Sequence, residues 1–176
     1  MKNAIVTGAS NGIGLEISKK LSENNYYVGM IDVDKKNLHK ESENISNSVA
    51  IEGDVTNEDS IKNALDTFSK TPDLIVNNAG IVIFGGLEEQ SIEDFKKSVD
   101  VSLIGSYLVS RLAIDSMIKK GSGCIINMSS INGVHPGPGT GGYPPAKAGI
   151  VSLTQQMSIE WGPYGIRTNS IAPGFI

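Results

Sequence analysis

The segment Thr7-Gly8-Ala9-Ser10-Asn11-Gly12-Ile13-Gly14 decides how the rest of the chain is read. It follows a short apolar run, Ala4-Ile5-Val6, and leads into Ile13, Ile17 and Leu21, which recur every four residues. Apolar residues at that spacing share one helix face, so the segment joins a strand to a helix expected over 12–24. Its glycines, spaced G-x-x-x-G-x-G, permit a tight turn and let backbone approach a ligand closely. A helix N-terminus behind such a turn offers free N–H groups and a positive dipole end, the chemistry that receives a pyrophosphate. Gly8, Ser10, Asn11, Gly12, Ile13 and Gly14 are the first candidate cofactor contacts.

Outward from that turn, short β-rich runs alternate with helical patterns. Strands are expected at Ala4–Thr7, Tyr27–Asp32, Val49–Gly53, Leu74–Asn77, Cys124–Met128 and Arg167–Ala172, and helices at 12–24, 35–46, 57–70, 91–120 and 143–161. Several strands read as continuous apolar runs, as strands covered on both faces do. Ser91 and Asp94 form a helix start signal, and Gly121 after Lys119-Lys120 forms a stop. Strict alternation of strand and helix means a parallel sheet with helices on both faces. Right-handed crossovers then select the doubly wound, Rossmann-type α/β fold. The Gly/Pro-rich stretch 133–145 reads as a functional loop.

Composition narrows the function. In 176 residues, 39% apolar and 19% charged is an ordinary balance for one soluble dinucleotide-binding domain. A net charge of −4 argues against a nucleic-acid partner. No uninterrupted apolar stretch is long enough to span a bilayer, and Lys2 is followed by too few apolar residues for a signal peptide. Cys124, the lone cysteine, suits a reducing cytoplasm and reads as a buried, inert thiol. No metal site is expected.

Asp32 ends the second strand, 18 residues beyond Gly14. A carboxylate there can accept hydrogen bonds from the adenosine ribose hydroxyls, which favours NAD over NADP. Lys35 and Lys36 are the groups that could instead turn toward a 2′-phosphate. Tyr143-Pro144-Pro145-Ala146-Lys147 places a phenol and an ammonium four apart. Alone, they would be an ordinary helix pair. The two prolines fit a helix's first turn, which sets Tyr143 at the helix edge.

Taken together, these motifs resemble the classical short-chain dehydrogenase/reductase family, without a gap from Met1 to Ile176. Thr7–Gly14 resembles its cofactor loop, Asp54-Val55 its adenine-contacting pair, and Asn77-Asn78-Ala79-Gly80 its fourth-strand motif. Ser130 lies thirteen residues before Tyr143, the family spacing, and Asn169 with Pro173-Gly174 resembles the motif that ends the sixth strand. The resemblance implies hydride transfer between a nicotinamide cofactor and an alcohol or carbonyl substrate. Tyr143 would be the acid/base, Lys147 would favour its phenolate and bond the nicotinamide ribose, and Ser130 would hydrogen-bond the substrate oxygen. It also implies cofactor contacts from Asp54, Val55, Asn77, Ala79, Gly80, Tyr143, Lys147, Pro173, Gly174 and Ile176, and homo-oligomers paired through the helices near 91–120 and 143–161. His135 reads as a solvated loop histidine, and Trp161 as packing.

Two departures from the family stand out. Its usual asparagine, which holds a proton-relay water near the lysine, is Ser102 here. Family members also continue past the position of Ile176, through substrate-covering helices and a seventh strand. The expectation is six strands, the sixth at an edge, and competing readings as a non-catalytic dinucleotide-binding module or an inactive fragment of such an enzyme.

Overall fold

Strand β1 (Lys2–Thr7) carries the apolar run that opens the chain, and its alternation is divided between two cores. Ile5 packs with Ile31, Ile75 and Ile125 on one face of the sheet, while Ala4 and Val6 pack with Val28, Met30 and Val76 on the other. Successive strand residues point to opposite faces, so a wholly apolar strand must be covered twice. The computed structural model describes residues 1–175; the expected contact Ile176 lies outside them.

From β1 the chain continues through α1 (Gly12–Glu23), β2 (Tyr26–Asp32), α2 (Lys35–Ser42), β3 (Ser48–Glu52), α3 (Glu58–Phe68) and β4 (Leu74–Asn77). It then forms α4 (Ile92–Val99), a π-helical turn (Asp100–Ile104), α5 (Gly105–Lys120), β5 (Gly123–Met128), α6 (Tyr143–Trp161) and β6 (Ile166–Ile171). The described strands form one sheet in the order β3-β2-β1-β4-β5-β6, every pair parallel. The expected doubly wound architecture is therefore found, with the switch in winding between β1 and β4. A crevice opens at that point, outside the carboxyl ends of the strands.

Local chemistry explains where the helices begin and end. Asp34, Asn57 and Ser91 cap α2, α3 and α4 by accepting from backbone N–H groups, and Gly121 ends α5 in the left-handed region at φ 75°. Helix α2 stops at Ser42, short of the expected 46, where the Asn44 and Ile45 N–H groups turn to the carbonyls of Glu41 and Ser42 three residues back and Asn47 takes up φ 54°. The helix expected over 91–120 is one rod interrupted by the π turn.

Two further expectations are corrected. Ile13 does not share a buried face with Ile17 and Leu21: α1's first turn projects past the sheet, and Ile13 is 38% exposed in the crevice. Cys124 is only partly buried, because α1 and α2 lie over β1–β3 on its face of the sheet and leave β5 open. The rod Ile92–Lys120 has the length and mean hydropathy of a bilayer-crossing helix, although charged residues interrupt it. Its Val109, Ala113, Ile114 and Met117 are instead core side chains against the sheet.

Candidate active site

The crevice at the switch point is about 1360 Å³ and draws its walls from the carboxyl ends of β1, β2, β4 and β5, the loops after them and the first turn of α6. Gly8, Asn11, Ile13, Asp32, Asp54, Val55, Ala79, Gly80, Ser130, Tyr143, Lys147, Pro173 and Gly174 all line it, so most of the residues expected at a site converge.

The floor is the glycine turn. Gly8 has φ +64°, and a Cβ on it would stand 2.9 Å from the Ala79 Cα. A Cβ on Gly14 would stand 2.1 Å from the carbonyl oxygen of Gly8, a backbone atom that cannot swing away. Gly14→Ala should therefore lower stability by about 1–3 kcal/mol and weaken dinucleotide binding. Thermal unfolding and NADH fluorescence check this; an unchanged midpoint would refute it. Helix α1 opens with Asn11 as N-cap and no side chain bonded to its first N–H groups. Those donors, with the close-approach glycines before them, fit a pyrophosphate.

Asp32 stands at the crevice wall in a fixed orientation. Its carboxylate accepts from the Ser10 N–H at 2.9 Å and the Asp34 N–H at 3.0 Å, leaving lone pairs for hydroxyl donors. Asp54 accepts from the Thr56 N–H and hydroxyl at 2.8 and 2.7 Å, and Val55 packs against Gly105 in the rod.

Across the crevice, the chain after β5 is bound tightly to α6. The Ser129 hydroxyl donates to the Lys147 carbonyl at 2.8 Å. A Cβ on Gly133 would meet that same carbonyl group within 3 Å, so bare backbone is required there. This contact holds Ser130 on the same wall as Tyr143 and Lys147. Ser130 Oγ accepts from the Asn132 N–H at 3.2 Å, which leaves its own O–H free to donate. Tyr143 is the first residue of α6, at the helix edge as the two prolines required.

Lys147 is 4% exposed, and its Nζ donates to the Met128 carbonyl at 2.7 Å and stands 5.5 Å from the centre of the Tyr143 ring. None of the ion pairs among the described residues includes it. Burial pushes the ammonium down from 10.5 to about 8. Ser102 lies in the π turn, fully buried, and its Oγ has no hydrogen-bond partner. It and Lys147 Nζ crowd the same side of Gly80, at 3.4 and 3.1 Å from where a Cβ would stand.

Five expected residues sit off the crevice surface, the buried Ser102 among them. Ser10 and Gly14 are buried behind it, Ser10 through its N–H to Asp32 and Gly14 through its packing on Gly8. Gly12 faces solvent with φ +52°. Asn77 is corrected most clearly. It shares Ile75's face of β4 and points under α5, where its Nδ2 donates to Ser110 Oγ and Asn127 Oδ1, both at 2.8 Å. The residue that shapes the crevice is its neighbour: Asn78 Nδ2 donates to the carbonyls of Thr7 and Gly8 at 3.0 and 3.1 Å. In return, Thr7 Oγ1 accepts from the N–H groups of Asn78 and Ala79, both at 3.1 Å. This clasp holds the ends of β1 and β4 at the switch point. Strand alternation carried the signal, since 75 and 77 share one face.

The sequence profile described as short chain dehydrogenase matches residues 2–176. An uncharacterised oxidoreductase of Thermotoga maritima is 36% identical over 179 residues, covering 98% of this chain and 71% of its own length. An NAD-dependent glycerol dehydrogenase of Listeria innocua is 33% identical over 180 residues, 99% of this chain and 70% of its own. Among solved structures, a 3-oxoacyl-(acyl-carrier protein) reductase of Brucella melitensis with bound NAD superposes with a TM-score of 0.94 at 30% identity, covering 98% of this chain and 70% of that one. A glycine-floored crevice at the switch point of a parallel sheet and a profile match along nearly its whole length agree: the chain belongs to the short-chain dehydrogenase family and is an oxidoreductase that works by hydride transfer with a nicotinamide cofactor.

Proposed function

We propose that residues 1–176 form one dinucleotide-binding domain that prefers NAD and uses Tyr143, Lys147, Ser130 and Ser102 to interconvert an alcohol and a carbonyl. The observation that carries this reading is the meeting of Gly8, Asp32, Ser130, Tyr143 and Lys147 on the walls of one crevice. A bound nicotinamide cofactor supplies or takes the hydride. Tyr143 trades a proton between its phenol and the substrate oxygen, and the buried Lys147 ammonium stabilises the phenolate that results. The free O–H of Ser130 donates to the substrate oxygen where charge develops. Ser102 takes the place of the family's asparagine, and its unspent hydroxyl, beside Lys147 Nζ, holds the water that the longer amide would hold.

The preference for NAD rests on charge. Asp32 is held at the wall by two backbone donors, and Lys35 is paired with Glu52 rather than free to meet a phosphate. The Listeria relative is named as NAD-dependent, and the Brucella structure contains NAD. A carboxylate facing a 2′-phosphate repels it by an amount on the order of 1.4 kcal/mol, or tenfold in affinity. Titration of NADH and NADPH by fluorescence should show NADH tighter by that factor. Equal or tighter binding of NADPH would overturn the assignment. The exposed Ile104 at the end of the π turn, Tyr107 on α5 and Ile159 on α6 support pairing of two copies through these helices. The free thiol of Cys124 supports a cytoplasmic setting.

A further inference from the structure

Two loops form the outer walls of the crevice, residues 78–91 after β4 and residues 134–142 before α6. They are joined by backbone at one point, where the Gly85 N–H donates to the Gly139 carbonyl at 3.0 Å and Gly85 bridges to Thr140. A second join is made by a side chain. Gln90 Oε1 accepts from the Gly142 N–H at 2.9 Å, while its Nε2 donates to the Ile83 carbonyl at 2.7 Å. Gly142 is the N-cap of α6, immediately before Tyr143.

The surroundings leave Gln90 and this segment little freedom. A Cβ on Gly141, at φ +45°, would fall 2.1 Å from the Gln90 amide carbon. A Cβ on Gly142 would fall 3.0 Å from the Phe95 ring and its carbonyl oxygen, so α4 also presses on the start of α6. Within this segment the Tyr143 N–H donates to the Thr140 carbonyl at 3.0 Å, the Ala146 N–H donates to the Gly142 carbonyl at 3.2 Å, and Pro144 and Pro145 carry no N–H. The Gly142 N–H, at the N-cap, is met instead from the opposite loop by Gln90.

We propose that Gln90 is the positioning residue for Tyr143: its amide ties the backbone on which α6 begins to the opposite wall of the crevice, and so fixes where the phenol stands. The proposal rests on the reading of Tyr143 as the proton-trading group. Gln90 itself touches neither proton nor hydride. Proton transfer demands placement within hydrogen-bond reach, and an error of about 1 Å costs on the order of a hundredfold.

The test compares wild type with Gln90→Met, which keeps the length and loses both bonds, and Gln90→Glu, which keeps the acceptor for Gly142. Hydrogen exchange followed by mass spectrometry reads peptides covering 137–146 and, separately, the later turns of α6. NADH affinity is read by fluorescence, and turnover by NADH oxidation with ethyl acetoacetate as the carbonyl probe. Gln90→Met should speed exchange across 139–146 about tenfold, leave the rest of α6 and the NADH affinity within twofold, and lower kcat about tenfold or more with KM little changed. Gln90→Glu should restore most of both losses. Unchanged exchange at 139–146 in Gln90→Met would overturn the proposal, as would faster exchange throughout the chain, or equal behaviour of the two variants. Where wild type does not reduce ethyl acetoacetate, unchanged exchange at 139–146 in Gln90→Met still overturns the proposal. If exchange rises as expected in an active enzyme whose kcat stays unchanged, Gln90 is structural and the positioning role is refuted.

Discussion

Tyr143→Phe should reduce hydride transfer by about 10²–10⁴-fold while leaving NADH affinity within twofold. The phenylalanine ring keeps the packing at the start of α6 and still faces Lys147 Nζ, which lies 5.5 Å from the ring centre in the wild type. Only the hydroxyl proposed to exchange the proton is lost. On the proposed reading, cofactor affinity rests on other groups, chiefly the uncapped N-terminus of α1 and the oriented Asp32 carboxylate. Steady-state turnover beside a fluorescence titration separates the two quantities. Activity that survives the substitution would move the acid/base role to another residue of the crevice, and a parallel loss of NADH affinity would mean that the hydroxyl belongs to the cofactor site instead.

Lys147→Met should remove both turnover and a pH dependence of stability. Burial lowers the ammonium from 10.5 in the open chain to about 8 in the fold. Between those two values the unfolded chain holds a proton that the folded one has released, so stability rises with pH across that window. Below about 8 both states are protonated and the fold carries the full cost of a buried charge, about 3 kcal/mol; above 10.5 the cost is gone. Methionine removes that cost but strands the Met128 carbonyl, a loss of about 1–3 kcal/mol. Wild type should therefore gain about 3 kcal/mol relative to the variant between pH 7 and pH 11, read from urea unfolding at several pH values. A stability difference that stays constant over that range would show that Lys147 is not buried as an ammonium.

Most of the fold was legible because covering both faces of a strand leaves a trace in the sequence. Ala4-Ile5-Val6 and Leu74-Ile75-Val76 are apolar at every position for that reason, and a run of this kind locates the sheet without knowledge of its partners. The crevice was legible where residue types stand at fixed offsets: Gly8, Asp32, Tyr143 and Lys147 all meet on its walls. It was misread where a neighbour decides. Asn77 and Asn78 are identical in type, and only the parity of β4 sends one under α5 and the other to the glycine turn. Gln90 left no trace at all, since its partner Gly142 is 52 residues away and an amide in a polar loop looks like any other. Cys124 was judged by its apolar neighbours, whereas its exposure depends on which helices lie over the sheet.

The π turn has a consequence for lengths of chain. Ser98, Ser102, Ser106 and Ser110 repeat every fourth residue, and all four are buried. On a regular α-helix, at about 100° per residue, twelve residues overshoot three full turns by about 120°, so the last serine would face well away from the first. The wider turn at Asp100–Ile104 underwinds the rod and absorbs the excess. Ser106 and Ser110 also bond back to the carbonyls of Ser102 and Ser106, which suits a bent stretch. Small side chains every four residues thus act as a ruler set to a slower screw than the α-helix. Losing one residue between 100 and 104 would restore the ordinary screw with eleven residues from Ser98 to Ser110, about 20° past three turns, so Ser110 would keep its place beside Asn77. Relatives of this chain that lack one residue in that turn should therefore carry a regular α-helix through it, with both ends of the rod facing as they do here.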